Sequence, residues 1–396
     1  MSKTGLLVIE AGALLTPFEK FTPGRLVIDG PFIAAAGPAE TTALPSGTER
    51  AEHIDARELV VTPGFIEPHI HGAGGVDLME GTYDSVNSVS RILPRHGTTS
   101  FLATTVSSPP EVLTKTVEQL GSLMARPFDG AQPLGIHLEG PFISPVKRGT
   151  HKAGNVVAPN PDLLEKWTRA ANKFLRLLTL APELPGSEDL IRIAKDSGIV
   201  VAMGHSNASL EEAALAVQRG ACYAVHTFNA MRAISHRDPG IAGEVLSDDR
   251  IFAEIIADGI HVAPSLVRLF ARAKGKERIL LVTDAISAMD MPNGRYTLGV
   301  DSIEVVDGAC RNAEGRLAGS TLTQEVALRN FINWTEWPLE DAISGLTVNP
   351  ARALGLDGKG VLKPGADADV VLMDQSFRVM KTFVKGKLVF NRLWTS

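Results

Sequence analysis

The residues best equipped for chemistry in this sequence are histidines and carboxylates that close short apolar runs. His69 and His71 lie one residue apart in Pro63–Gly75, PGFIEPHIHGAGG. On a strand, positions i and i+2 point to the same face, so both imidazoles can converge on one point. The glycines that follow let the backbone turn sharply and leave room beside the rings. Neutral imidazole is the commonest protein ligand for zinc-like ions, so His-x-His at the end of a buried strand has metal-ligand geometry. The pattern recurs. GIHLEGPF carries His137 and Glu139, MGHS carries His205, AVHTFNAM carries His226, ADGIHV carries Asp258 and His261, and LVTDA carries Asp284. Of ten histidines, only His53, His96, His151 and His236 fall outside these run ends. Any one of the set could be a core histidine or a capping carboxylate. Burying five or more imidazoles and two carboxylates together without a metal would leave polar groups unsatisfied, at a cost of several kcal/mol. The set as a whole points to a metal site.

The elements that must position these residues are eight strand-like runs: Leu59–His71, Thr98–Val106, Pro133–Phe142, Leu175–Glu183, Ile199–Ser206, Tyr223–Met231, Ile251–Val262 and Ile279–Ala285. Amphipathic stretches of helical length separate most of them, at Pro109–Arg126, Pro159–Lys173, Ser187–Ser197, Ser209–Arg219 and Pro264–Lys274. That alternation is the signature of βαβ units and a parallel sheet. Eight such units predict an α/β fold, a (β/α)8 TIM-type barrel. A barrel of this kind carries its active site at the C-terminal ends of the strands, which is where the histidines and carboxylates fall. A Gly-rich, hairpin-like insertion follows the eighth run, from about Pro292 to Gly315, and helices are expected over Thr323–Trp334 and Leu339–Gly345. Short apolar runs punctuated by Gly and Pro occupy both ends of the chain. They predict a small β-sandwich domain built from residues 1–58 and 365–396, flanking a barrel over 59–364.

Composition bounds the function. Hydrophobic residues at 44% and charged residues at 21% are ordinary for a soluble globular enzyme. A length of 396 residues suits one barrel of roughly 250 residues plus an accessory domain. The formal net charge of -6, with no block of basic residues, argues against nucleic acid as a partner. No apolar window reaches the roughly 20 residues needed to span a bilayer, so no membrane partner is expected. The two cysteines, Cys222 and Cys310, are far apart and read as reduced thiols of a cytoplasmic protein.

PGFIEPHIHG, HLEGPF, KRGTH, GHSNA, HTFNAM, ADGIHV, VTDA and LAGS, taken in this order, resemble the amidohydrolase superfamily, and within it the branch that deacetylates N-acetylated amino-sugar phosphates. The resemblance extends to the tail KPGADADVVLMD and covers nearly the whole chain. It implies that Glu139, His205 and His226 hold the principal metal, with His69 and His71 adding a second position. Glu139 stands where other members use a carboxylated lysine, and no lysine ends strand four. One departure is Glu67, where the family has Asp two residues before the first metal histidine; the extra methylene bears on support for the second metal.

Amide hydrolysis at neutral pH needs a strong nucleophile, and a divalent metal supplies one by lowering the pKa of water toward about 7. A mixed histidine and carboxylate shell suits zinc, with iron, cobalt or manganese as alternatives and one or two ions per subunit. Asp284 is expected to take the proton of the nucleophile and pass it to the leaving amine. By the resemblance, His151 polarises the carbonyl oxygen, and Asn229, Ala230, Arg237 and His261 bind a phosphate, partly across a homodimer interface. The implied reaction converts N-acetyl-D-glucosamine 6-phosphate to glucosamine 6-phosphate and acetate. The galacto epimer is the nearest alternative substrate, and a cyclic amidohydrolase or deaminase the nearest alternative class. His137 reads as structural or supporting, and His96 as a helix C-terminal residue favourable to the dipole.

Overall fold

The computed structural model describes residues 5–46 and 51–394. Its centre is a barrel of eight parallel strands: β1 (Phe65–Ile70), β2 (Thr98–Thr105), β3 (Gln132–Glu139), β4 (Leu175–Leu180), β5 (Val200–Met203), β6 (Tyr223–Ala224), β7 (Phe252–Ile256) and β8 (Ile279–Val282). They pair in sequence order. The ring closes where β8 meets β1: Ile70 bridges Ala285, the Asp284 N–H donates to the His69 carbonyl at 3.0 Å, and the His71 N–H donates to the Ala285 carbonyl at 2.8 Å.

Side chains alternate across the barrel wall. Leu102, Leu177, Ala202, Tyr223, Phe252, Ile256, Leu280 and Val282 form one buried cluster in the lumen. Their neighbours Phe101, Leu178, Val201, Ala253 and Leu281 join the larger cluster under the helices. This is the two-residue strand period made visible as two shells of core.

The longer helices are α1 (Tyr83–Ile92), α2 (Pro110–Leu123), α3 (Pro161–Ala170), α4 (Ser187–Asp196), α5 (Leu210–Arg219), α6 (Gly240–Ser247), α7 (Pro264–Lys274) and α8 (Gln324–Thr335), followed by the short α9 (Leu339–Ala342) and α10 (Val348–Ala353). Helix α1 sets Tyr83, Val86, Val89 and Ile92 at helical spacing against the core, and a capping box between Thr82 and Ser85 starts it. Of the longer helices, only α6 lacks a clear sequence signal of helical periodicity. Helix α6 buries Gly240, Ile241, Ala242, Glu244 and Val245, so it has little polar face to contrast with an apolar one.

The stretch Leu59–His71, one strand in the sequence reading, divides between two sheets. Glu52–Pro63 belongs to a mixed eight-stranded sheet built from both ends of the chain, together with Leu6–Leu15, Lys20–Phe21, Gly24–Asp29, Phe32–Pro38, Val370–Met373, Val379–Val384 and Lys387–Asn391. At the edge of that sheet Phe32 bridges Asp367 and the Ile33 N–H donates to the Ala366 carbonyl at 2.8 Å, so the sheet folds back over its own core of Ile9, Leu26, Ile28, Val370, Leu372 and Phe383. The chain changes sheet at Gly64. The insertion after β8 is a four-stranded antiparallel sheet from Gly294 to Ser320, longer than the expected hairpin, and Ser320 pairs with Ala285 at the end of β8. Cys222 and Cys310 are free, and among the described residues no helix is long and apolar enough to cross a membrane.

His96 does more than end a helix. Its Nδ1 donates to Glu325 Oε1 at 2.8 Å, tying the start of β2 to α8, and Asp290 stands 3.9 Å from Nε2. Burial alone would lower the His96 pKa, but Asp290 and Glu325 outweigh it and push it up to about 9.

Two outcomes are expected. A Cβ at Gly64 would fall 2.8 Å from the Thr99 Cβ, which is fully buried, so Gly64→Ala should lower the unfolding free energy by about 1–3 kcal/mol in denaturant titration. An unchanged midpoint would mean that Thr99 gives way. Because the folded pKa of His96 lies above its unfolded value of 6.5, its contribution is complete below 6.5 and is lost as pH rises through about 9. A stability gap on the order of 1–3 kcal/mol between wild type and His96→Gln at pH 6 should therefore narrow toward pH 9, and a gap independent of pH would contradict the ion pair.

Candidate metal centre

Strand parity carries some of the predicted residues into the lumen and leaves others outside. Glu67, His69 and His71 share the inner face of β1, and His137 and Glu139 that of β3. Asp284 follows Leu280 and Val282 inward. His205 and His226 do not fit this count. Ala202 on β5 and Tyr223 and Val225 on β6 face the lumen, so simple alternation would turn the two histidines toward the helices. Both residues instead adopt left-handed backbone, with φ of 46° at His205 and 30° at His226, and Asp284 does so too at 50°. Each such residue costs about 1–3 kcal/mol, a strain found where a site demands it. The ladders of β5, β6 and β8 stop just before these residues, which is why the runs read as strands in the sequence overshoot.

The result is one buried cluster. Glu139 Oε1 lies 3.1 Å from His205 Nε2, 3.1 Å from His226 Nε2 and 3.4 Å from His69 Nε2. Its Oε2 lies 3.4 Å from His71 Nε2 and 3.6 Å from His151 Nε2. Asp284 Oδ1 closes the far side, 3.1 Å from His71 Nε2 and 3.5 Å from His69 Nε2. All seven side chains are buried.

Hydrogen bonds outside the cluster set the tautomers within it. His69 Nδ1 donates to Glu254 Oε2 at 2.8 Å, and His205 Nδ1 donates to the Lys147 carbonyl at 3.2 Å. Carboxylate and carbonyl oxygens can only accept, so each ring in its neutral form presents a bare Nε2 lone pair to the centre. His151 is the reverse. Its Nδ1 accepts the Ser107 N–H at 3.1 Å, so its proton sits on Nε2 and points inward. His69 Nε2 is buried with no hydrogen-bond partner, and its lone pair faces two carboxylate oxygens. The Glu139, His205 and His226 donor atoms are mutually 3.1 Å apart, close to the about 3.3 Å that separates ligands of a tetrahedral ion. The residues fit a divalent metal.

The charge states are mixed: burial opposes charge on the rings, but the surrounding carboxylates Glu254, Asp284 and Glu139 raise His69 well above its ordinary value, and Glu139 and Asp284 raise His226. Burial works against ionisation of Glu139, but His69, His151, His205 and His226 hold its carboxyl well below the usual range. Asp284 is likewise buried, and His69 and His71 bring it down to about 2. Burial pushes His205 down to about 4, which leaves its ring neutral at pH 7.

The remaining expected residues lie on the loops above. Asn229 and Ala230 follow His226, with the Ser206 N–H donating to the Ala230 carbonyl at 3.0 Å. The His261 ring is pinned by Asp258, Nδ1 to Oδ2 at 2.6 Å. Arg237 is exposed farther along the β6 loop, where its N–H donates to Ser235 Oγ at 3.4 Å. His137 is fully buried and bonds Thr179 Oγ1 at 2.7 Å, in keeping with a structural part. Glu67 accepts the N–H groups of His69 and Thr283, each at 3.1 Å, and so sews β1 to β8 through the backbone. Ring support for His69 comes from Glu254, absent from the sequence reading although it is the one acid in the apolar run FAEII.

A cation placed among these donors binds the folded chain and not the unfolded one. Saturating zinc at about 100 times its dissociation constant should therefore add about 2.7 kcal/mol of stability. A rise in melting temperature with zinc, absent in Glu139→Ala, checks it; equal shifts in both proteins would place binding elsewhere.

Residues 60–389 match the Amidohydrolase family. N-acetylglucosamine-6-phosphate deacetylase of Homo sapiens is 41% identical over 353 residues, 86% of this chain and 85% of that protein. N-acetylgalactosamine-6-phosphate deacetylase of Escherichia coli O157:H7 is 36% identical over 382 residues, 96% and 98% of the two chains. Among solved structures, a point mutant of N-acetyl-D-glucosamine-6-phosphate deacetylase of Mycobacterium smegmatis, in complex with N-acetyl-D-glucosamine-6-phosphate, superposes with a TM-score of 0.91 at 34% identity, covering 98% of this chain and 100% of that one. With the barrel, its ring of buried histidines and these relatives in agreement, the chain belongs to the amidohydrolase family, in the branch of the N-acetylglucosamine-6-phosphate deacetylases.

Proposed function

We propose that the chain hydrolyses the acetamide of N-acetyl-D-glucosamine 6-phosphate, releasing glucosamine 6-phosphate and acetate. The observation that carries this reading is the buried carboxylate Glu139 ringed by imidazoles, with Asp284 opposite, in a chain whose relatives are deacetylases of phosphorylated amino sugars. Glu139, His205 and His226 would hold the principal ion, and His69 and His71 a second. Zinc suits the nitrogen and oxygen donors best, with iron, cobalt or manganese as alternatives. When bound, such an ion supplies Lewis acidity, polarising the acyl group and lowering the pKa of water toward about 7.

The chain's own residues do the rest. The inward Nε2–H of His151 is a donor for the acetamide oxygen, whose negative charge grows as the carbonyl carbon becomes tetrahedral. Asp284, ionised and facing the same space, accepts the proton of the attacking water and returns it to the amine as the carbon–nitrogen bond breaks. Asn229, the backbone of Ala230, Arg237 and His261 bind the 6-phosphate. The resemblance to the deacetylase branch carries the further reading of a homodimer, with phosphate contacts shared across its interface. The free thiols of Cys222 and Cys310 are in keeping with a cytoplasmic setting.

The test is acetate release by metal-replete protein from N-acetylglucosamine 6-phosphate, its galacto epimer and unphosphorylated N-acetylglucosamine. The first should turn over fastest, and Asp284→Asn should lose at least about 100-fold in kcat. Faster turnover of the galacto epimer would move the assignment to that sugar. Equal rates with and without phosphate would remove the roles given to Arg237 and His261, and no release from any of the three would overturn the reaction.

A further inference from the structure

Glu254 lies mid-strand on β7, fully buried, on the lumen face between Phe252 and Ile256. A charge at such a position is costly unless paired and hydrogen-bonded, and an aliphatic side chain would fill the space without that cost. Its bonds are all accounted for. Oε2 accepts from His69 Nδ1 at 2.8 Å and from the His226 backbone N–H at 2.9 Å, while Oε1 accepts from the Tyr223 hydroxyl at 2.7 Å. Its main-chain carbonyl accepts the Thr227 N–H at 2.9 Å.

These bonds act on both halves of the metal centre. The first fixes the His69 tautomer and aims its bare Nε2 at Glu139 and Asp284. The next catches the N–H that His226 withdraws from the β6 ladder when its backbone turns left-handed, the same turn that swings the His226 ring into the lumen. One residue on β7 thus holds a ligand from β1 and a ligand from β6.

We propose that Glu254 is the positioning residue of the metal centre, orienting His69 through its ring and His226 through its backbone by way of a single oxygen, Oε2. The proposal rests on the metal-dependent reading above. A carboxylate behind a metal-bound histidine sets ring orientation and basicity, and its loss typically weakens metal binding by about 10–100-fold. The Tyr223 bond on Oε1 serves as an internal control, because it touches the same carboxylate without touching either ligand.

The experiment compares apo forms of wild type, Glu254→Leu, Glu254→Gln and Tyr223→Phe by zinc competition against a chromophoric chelator, with the visible spectrum of the cobalt(II)-loaded forms and melting temperature recorded alongside. Glu254→Leu should bind zinc about 10–100-fold more weakly and change the cobalt spectrum. Glu254→Gln, which keeps the shape and loses the charge, should weaken binding by about tenfold, and it carries the test if the leucine variant does not fold. Tyr223→Phe should lower the melting temperature and leave affinity within about threefold of wild type. Wild-type affinity in both Glu254 variants, or in the one that folds, would reduce Glu254 to a structural group and overturn the proposal. Wild-type protein that binds neither ion would take down the metal reading and the proposal with it, a result distinct from strong wild-type binding with no effect of substitution.

Discussion

Glu139 is a buried carboxylate with four imidazole nitrogens within 3.4 Å of its oxygens and a fifth, from His151, at 3.6 Å. An anion in a barrel lumen is unstable by itself, and so are neutral rings whose lone pairs face two carboxylates. Together, and with a cation, each cancels the cost of the others. The architecture of the barrel answers this requirement. It brings β1, β3, β5, β6 and β8, which are far apart in the chain, to one end of one ring, where their last residues meet around a shared centre.

The strain at the strand ends follows from the same requirement. A strand offers only alternate residues to the lumen, and β5 and β6 reach their ends with the histidines on the wrong side. Left-handed backbone at His205 and His226 corrects this. The N–H groups released by the turns then need new acceptors, and the side chain and carbonyl of Glu254 supply them at His226 and Thr227. Local strain, side-chain support and ligand placement are one linked arrangement.

The surrounding elements hold that arrangement closed. Glu67 and the pairing of Ile70 with Ala285 seal β8 against β1, and the four-stranded insertion extends the seam through Ser320. Arg316 of the insertion donates to the Gly149 carbonyl at 3.0 Å, two residues before His151, and Lys152 pairs with Asp301 at 3.0 Å. The loop that carries the inward-pointing donor is thereby fastened to the insertion. His96 and Glu325 make a similar tie at the start of β2.

Much of this was legible in the order of residues. Eight apolar runs with helical intervals dictate a barrel because strand and helix periods are local properties, and the histidines and carboxylates stand at run ends that the barrel rule makes an active site. His69, His71, Glu139 and Asp284 could be assigned to one face by counting twos. Helix α6 escaped because a nearly enclosed helix lacks amphipathic contrast, whereas Tyr83, Val86, Val89 and Ile92 give α1 a legible helical spacing. The division of Leu59–His71 between two sheets escaped because it depends on Val370–Met373, which arrives from the other end of the chain. The inward turn of His205 and His226, the tautomer of His151 and the part played by Glu254 belong to the fold alone. Each rests on a contact between strands distant in sequence, and no periodicity within a single segment encodes which acceptor another strand will present.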